Sequence, residues 1–231
     1  MTLSAAEITV DDDALDSEIE VSFVPHGRIV AKDLTVDEFM TRYMDGFYEY
    51  VEGYVMQMSP NRIEPIDLLG YLIVLVSTYF ELRPIGRVIS QPFVMRLPAF
   101  PKRRREPDAM IILNSNPGRI ECTYMNGAPD LVIEIISEES FVRDTGEKFI
   151  EYQNGGVGEY WLLDRLRQDA RFYRPNADKI YVPQPITDGI YQTPILPGLK
   201  LHVPTLWQEQ LPGPIAVGNA VCAMLAPNES T

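Results

Sequence analysis

The sequence predicts a mixed α/β domain, a sheet flanked by helices, and three observations carry that expectation. Asp130 to Ile136 reads Asp-Leu-Val-Ile-Glu-Ile-Ile, apolar on both faces except at Glu134, as in a strand from the middle of a sheet. Pro65 to Leu82 is dense in apolar residues and opens on a proline suited to a first helical turn, which predicts a long buried helix. Around these two stretches, short β-branched and aromatic runs alternate with helix-start and turn signals, without an internal repeat.

Taken in order, residues 1–33 form an acidic segment with the run Asp11-Asp12-Asp13, expected to be loosely ordered. The alternation of Ile19, Val21 and Phe23 allows a short edge strand there. Thr35 with Glu38 three residues on is a capping-box pattern, opening a helix to about Met44. Phe47 to Val51 and Tyr54 to Met58 flank Glu52-Gly53, which predicts an N-terminal hairpin. After the long helix, Arg87 to Gln91 and Phe93 to Leu97 flank Pro92, as at a bulge or an edge. Pro107 to Leu113 is a strand, and then comes the central strand with Glu134. Asp144 with Glu147 reads as the cap of a helix that Gly155-Gly156 stops. Glu159 to Leu163, Ala170 to Tyr173 and Lys179 to Val182 are strands. The domain is expected over 34–206, with 207–231 as a peripheral tail rich in Pro, Gly and Ala.

Composition removes several chemistries. The only histidines, His26 and His202, sit in no motif, which argues against Ser-His-Asp, Cys-His and His-based nuclease sites. Cys122 and Cys222 cannot supply the roughly four ligands of a structural zinc site, so no zinc is expected and both read as reduced, structural residues. No phosphate loop or dinucleotide fingerprint is present. The stretch Leu68 to Phe80 is too short and mixed to span a bilayer, and the acidic start is no secretory signal, so a cytoplasmic location without membrane contact is expected. A formal charge of −13 argues against binding nucleic acid through bulk electrostatics. One local basic strip remains, Lys102-Arg103-Arg104-Arg105, which is either a solvated loop tip or a nucleic-acid contact. What is left is carboxylate, lysine and metal chemistry.

Glu134 is the strongest candidate. Period-2 geometry puts it on one face with Val132 and Ile136, and an unpaired charge there is costly to bury. Either a Lys or Arg partner or a metal ion must compensate it. Asp108, after Pro107 at the start of another strand, can pair with it to hold one hard cation, Mg²⁺ or Mn²⁺. Asp130 is four residues from Glu134 along its own strand, roughly 13 Å at the usual rise, too far to share an ion. Lys148 falls in the first turns of the next helix, with Tyr152 on the same helix face. A lysine there can orient the attacking water and stabilise charge on a phosphate, though it also reads as an ordinary surface lysine.

Several pieces together resemble a known family. They are Tyr48-Glu49-Tyr50-Val51-Glu52-Gly53-Tyr54-Val55, Met58-Ser59-Pro60, Glu106-Pro107-Asp108, and Pro129 to Ser137. Asp144-Thr145-Gly146-Glu147-Lys148 through Tyr152, and Gly156 to Asp164, continue the series. In this order and spacing the chain resembles the Uma-type family of restriction endonucleases, within the PD-(D/E)XK nuclease superfamily, over roughly residues 35 to 205. The resemblance implies a restriction-endonuclease-like core with Asp108 and Glu134 as metal ligands and the backbone carbonyl of Ile135 as a third. Ile136 holds the usual lysine position of the superfamily, and the resemblance implies that Lys148 replaces it from the helix. Glu49 or Glu52 matches an upstream glutamate that supports the site or a second metal. A histidine common near the start of the long helix is missing from Asn61-Arg62-Ile63-Glu64-Pro65-Ile66-Asp67.

The function implied is a metal-dependent endonuclease acting on DNA. Double-strand cleavage commonly uses two sites, which makes a homodimer an expectation. The alternative is a nuclease-like fold kept as a non-catalytic binding or assembly module, to which the acidic charge and the missing histidine point.

Overall fold

The structure, a computed structural model, describes residues 28–58 and 63–226. The chain starts with strand β1 (Arg28–Ala31), helix α1 (Val36–Arg42) and the hairpin of β2 (Tyr48–Val51) and β3 (Tyr54–Gln57). The capping box forms as the spacing predicts: Thr35 Oγ1 accepts from the Glu38 amide at 3.2 Å, and the Glu38 carboxylate accepts from the Thr35 amide at 2.9 Å. Glu52 and Gly53 both turn left-handed, with φ +49° and +93°, the twist that a two-residue hairpin turn requires.

Helix α2 (Ile63–Leu82) comes next, then strands β4 (Gly86–Ser90), β5 (Val94–Arg96), β6 (Arg103–Arg104), β7 (Ala109–Leu113), β8 (Arg119–Ile120), β9 (Tyr124–Asn126) and β10 (Leu131–Ile135). A π-helical turn (Arg143–Glu147) leads directly into α3 (Lys148–Gly155). Strands β11 (Tyr160–Asp164), β12 (Asp169–Pro175), β13 (Tyr181–Pro183), β14 (Ile190–Tyr191) and β15 (Leu201–His202) precede helix α4 (Pro214–Leu225).

The main sheet has the order β13-β12-β11-β10-β7-β4, with β10 parallel to β11 and antiparallel to β7. The Glu134 strand is therefore central, as its two-sided apolar character predicts. Side-chain alternation splits the core into two layers. Ala109, Ile111, Leu131, Ile133 and Ile135 pack with Leu68, Leu72, Val76 and Tyr79 of α2. Met110, Ile112, Val132 and Ile136 pack with Tyr152 of α3 and with Tyr160 and Leu162. Glu134 shares the α3 layer. A second sheet, β1-β3-β2-β6, brings the hairpin alongside.

Four expectations need correction. The domain begins before residue 34, because Arg28 and Ile29 pair with Gln57 and Met56 and close β1 onto β3. The stretch beyond residue 207 is not peripheral: Val217 and Val221 of α4 are buried in the same core as α2. Asp144 does not cap its helix. The chain is already helical at residues 141–142, and Ser137 and Ser140 exchange backbone-to-hydroxyl bonds of 3.1 and 3.0 Å one turn earlier. The cysteines are free, but both are exposed and so are not core residues. Ile19, Val21, Phe23 and the Asn61-Arg62 pair lie outside the described residues.

Candidate active site

The ends of β7 and β10 build the site. Their register pairs Ile133 with Ala109, so one step further sets Glu134 opposite Asp108. Residues opposite one another in an antiparallel pair point to the same face, with Cβ atoms about 4.5–5.5 Å apart. That face is the one covered by α3.

Glu134 Oε1 accepts from Lys148 Nζ and from the Tyr152 hydroxyl, both at 2.8 Å. The same Nζ lies 3.2 Å from Glu49 Oε1 on β2 and 3.4 Å from Asp144 Oδ1, one helical turn before it. Asp108 Oδ1 accepts from the Gln91 side-chain amide at 3.0 Å, and its Oδ2 accepts from the Ile135 backbone amide at 2.6 Å. Glu49, Glu134, Asp144 and Lys148 are fully buried, whereas Asp108 is partly exposed. Asp108 thus marks the side from which solvent reaches the cluster.

A ring of ion pairs holds α3 over the sheet. Arg105 donates to Glu49 Oε2 at 2.8 Å, to Glu147 Oε1 at 2.7 Å and to Glu151 Oε2 at 2.8 Å. Arg103 joins Glu147 at 2.9 Å and also pairs with Glu151. Arg143 Nε sits 3.4 Å from Asp144 Oδ1. The π-helical turn lies where Arg143, Asp144 and Glu147 all face inward, and such turns often occur at functional sites.

The charges are unevenly shared. Burial pushes Glu134 up to about 8, with Asp144 and Asp108 adding to the rise and Lys148 opposing it. Burial likewise raises Asp108 to about 6, against the Ile135 amide and Lys148. Burial also acts to raise Glu49, but Lys148, Arg105 and Arg143 outweigh it and hold the carboxylate well below its ordinary range. Lys148 stays charged, since Glu134, Glu49 and Asp144 more than offset its own burial. One ammonium faces three carboxylates, so Glu134 and Asp108 are left short of positive charge.

Of the residues singled out from sequence, Asp108, Glu134, Lys148, Tyr152 and Glu49 come together. Ile135 is there too, through its amide on Asp108. Glu52 is not; it stays in the hairpin turn, 3.6 Å from Arg103 Nε and 3.9 Å from Lys102 Nζ. The Lys102 to Arg105 run is not a solvent-facing strip. Arg103, Arg104 and Arg105 are buried, because the carboxylates of α3 and β2 draw Arg103 and Arg105 inward. Asp144, Gln91 and Arg143 were not singled out as site residues, and Arg105 was singled out only as a nucleic-acid contact. The i,i+4 spacing of Asp144 and Lys148 was the available signal for the first. Gln91 and Arg105 reach the site only through tertiary contacts.

Residues 36–204 match the profile of the Uma2 family, described as "Putative restriction endonuclease". Among solved structures, a protein titled a "putative nuclease belonging to DUF820" from Anabaena variabilis superposes with a TM-score of 0.63 at 21% identity. The match covers 75% of this chain and 97% of that one, and it shows a shared fold. No curated protein matches the sequence.

Proposed function

The chain belongs to the Uma2 restriction-endonuclease family, and on that premise we propose that it is a divalent-metal-dependent endonuclease hydrolysing DNA phosphodiester bonds. The observation that carries this reading is the pairing of Asp108 with Glu134 across β7 and β10, beside a buried lysine 2.8 Å from Glu134.

The residues fit a hard divalent cation. Two carboxylates whose burial is under-compensated gain most from added positive charge. Among the described residues no three His, Cys, Asp or Glu side chains form a ready-made cage. Mg²⁺ does not need one, since it is commonly held by one or two carboxylates with waters and phosphate oxygens. Asp108 and Glu134 would hold Mg²⁺ or Mn²⁺, and the Ile135 carbonyl would add a third oxygen. A bound cation there would supply Lewis acidity toward a phosphate and lower the pKa of water.

The chain's own groups do the rest. Gln91 and the Ile135 amide fix both oxygens of Asp108, so its free lone pairs keep one direction. Tyr152 and Lys148 hold Glu134 in one rotamer. Lys148 keeps its ammonium at the reacting side, where it can orient a water and stabilise charge developing on a phosphate oxygen. Two copies, each with one such site, would cut both strands.

A second reading has its own observation: Lys148 is buried and already paired with Glu49, Glu134 and Asp144, as in a nuclease-like fold kept for binding or assembly. Purified protein and Asp108→Ala separate the two on supercoiled plasmid with Mg²⁺ or Mn²⁺. Metal-dependent nicking by the wild type and its loss by at least a hundredfold in the variant are expected. Equal nicking by both removes Asp108 from the chemistry, and the absence of nicking together with absent Mn²⁺ binding leaves the non-catalytic reading.

A further inference from the structure

The basic run 102–105 is divided by its own strand geometry. Alternation sends Arg103 and Arg105 to the carboxylates of α3 and β2, and Arg104 to the opposite face. Met95 pairs with Arg105 in an antiparallel bridge, with backbone bonds of 2.7 and 3.3 Å in the two directions. One step along, Arg96 of β5 therefore stands opposite Arg104 of β6. Two arginines facing each other across strands repel, and such a pair is destabilising unless something lies between them.

No carboxylate among the described residues forms an ion pair with either arginine, in a chain carrying 33 acidic residues. Arg104 is 3% exposed. Its Nη1 donates to the Pro101 and Arg103 carbonyls at 3.1 and 2.6 Å, while its buried Nε has no partner. Arg96 is exposed. Tyr50 and Tyr124 flank the pair, and Asp37 of α1 is near but forms no ion pair with it. The Tyr50 hydroxyl is already committed to the Leu34 carbonyl at 2.8 Å. Burial, with Arg96 adding to it, lowers the Arg104 pKa, a tension that an anion would relieve.

We propose that Arg96 and Arg104 form an oxyanion site for a phosphate group, on the face of β6 opposite the carboxylate cluster. The planar guanidinium fork suits phosphate oxygens, and a dianion or phosphodiester between the strands would convert a repulsive pair into a bridge. The phosphate can come from a nucleic-acid backbone or from a small phosphorylated molecule. The site uses neither Asp108 nor Glu134, so it stands or falls independently of the nuclease reading.

The test is a titration with inorganic phosphate in metal-free buffer at constant ionic strength, following the Arg104 Nε–H resonance by NMR. A saturable shift is expected in the wild type. Arg96→Gln, at an exposed position that leaves the fold intact, should weaken the apparent affinity at least tenfold. A second arm measures affinity for a short DNA duplex in the presence of EDTA. Weaker duplex binding by Arg96→Gln supports the site with a nucleic-acid backbone as the source. Unchanged duplex binding, with the phosphate response lost, supports the site with a small phosphorylated ligand. No saturable shift in the wild type, or an equal shift in the variant, overturns the proposal.

Discussion

Lys148 is the side chain on which the cluster's charge balance turns. Its ammonium faces Glu134, Glu49 and Asp144 at once, all within 3.4 Å. Removing one member of a buried ion pair costs about 3–5 kcal/mol, because the remaining charge is stranded. Lys148→Ala should therefore lower the urea midpoint strongly in metal-free protein, and an unchanged midpoint would show that the carboxylates are protonated or hydrated without it. Gln91 acts differently. It touches only the Oδ1 side of Asp108, so Gln91→Ala should leave stability nearly unchanged. On the proposed role of Asp108 as a metal ligand, loss of the group that orients it should weaken binding about 10–100-fold. Mn²⁺ calorimetry on that variant reads the effect directly, and an unaltered affinity would reduce Gln91 to a space-filling role. Sequence exposed these residues unequally. Glu134 was legible because a charge in an apolar strand demands a partner, and Asp108 because a second strand start had to supply one. Lys148 rested on a family resemblance, and Gln91 left no local mark at all.

At the scale of elements, turn and cap chemistry was the most legible layer. The Thr35 box and the Glu52-Gly53 turn form as their residue types dictate, since both depend on contacts within four residues. The helix before Lys148 shows where such reasoning stops. The sequence offers Asp144 with Glu147 as the cap, the structure uses Ser137 with Ser140, and burial decides between them. Asp144 is drawn inside by Lys148 and Arg143, which leaves the Ser137 hydroxyl to accept from the free Ser140 amide. Ser137→Ala should then cost about 1 kcal/mol in thermal or chemical unfolding, the usual worth of an N-cap. A change below roughly 0.3 kcal/mol would mean that the 137–140 turn is held by its neighbours instead.

For the molecule as a whole, the α/β class followed from an apolar strand, a long apolar helix and the alternation of strand and helix signals around them, but the roles of the charged residues and of the C-terminal region did not. Four consecutive basic residues in an acidic chain read as a surface strip, whereas buried carboxylates recruit two of its arginines. The C-terminal region read as peripheral from its Pro, Gly and Ala content, yet Val217 and Val221, one helical turn apart, complete the α2 core. Another buried carboxylate ties the segment around β14 to the main sheet. Glu159, before β11, accepts from Trp161 Nε1 and from Thr193 Oγ1, each at 2.6 Å, and from the Tyr191 hydroxyl of β14. Burial raises its pKa above the ordinary 4.5 despite these three bonds. The folded chain therefore holds this proton at pH values where the unfolded chain has released it. By linkage, that contribution to stability is present at acidic pH and is lost as pH rises from about 4.5 through the folded value. Glu159→Gln keeps the shape, removes the titration and leaves every other group in place. Its stability relative to the wild type should improve as pH rises above about 4.5, until the folded wild-type carboxyl has ionised, read as the difference in unfolding midpoint at each pH. A difference that stays flat across that range would mean that Glu159 is ionised in the folded state throughout, with Arg174, 4.0 Å away, as its effective counter-charge.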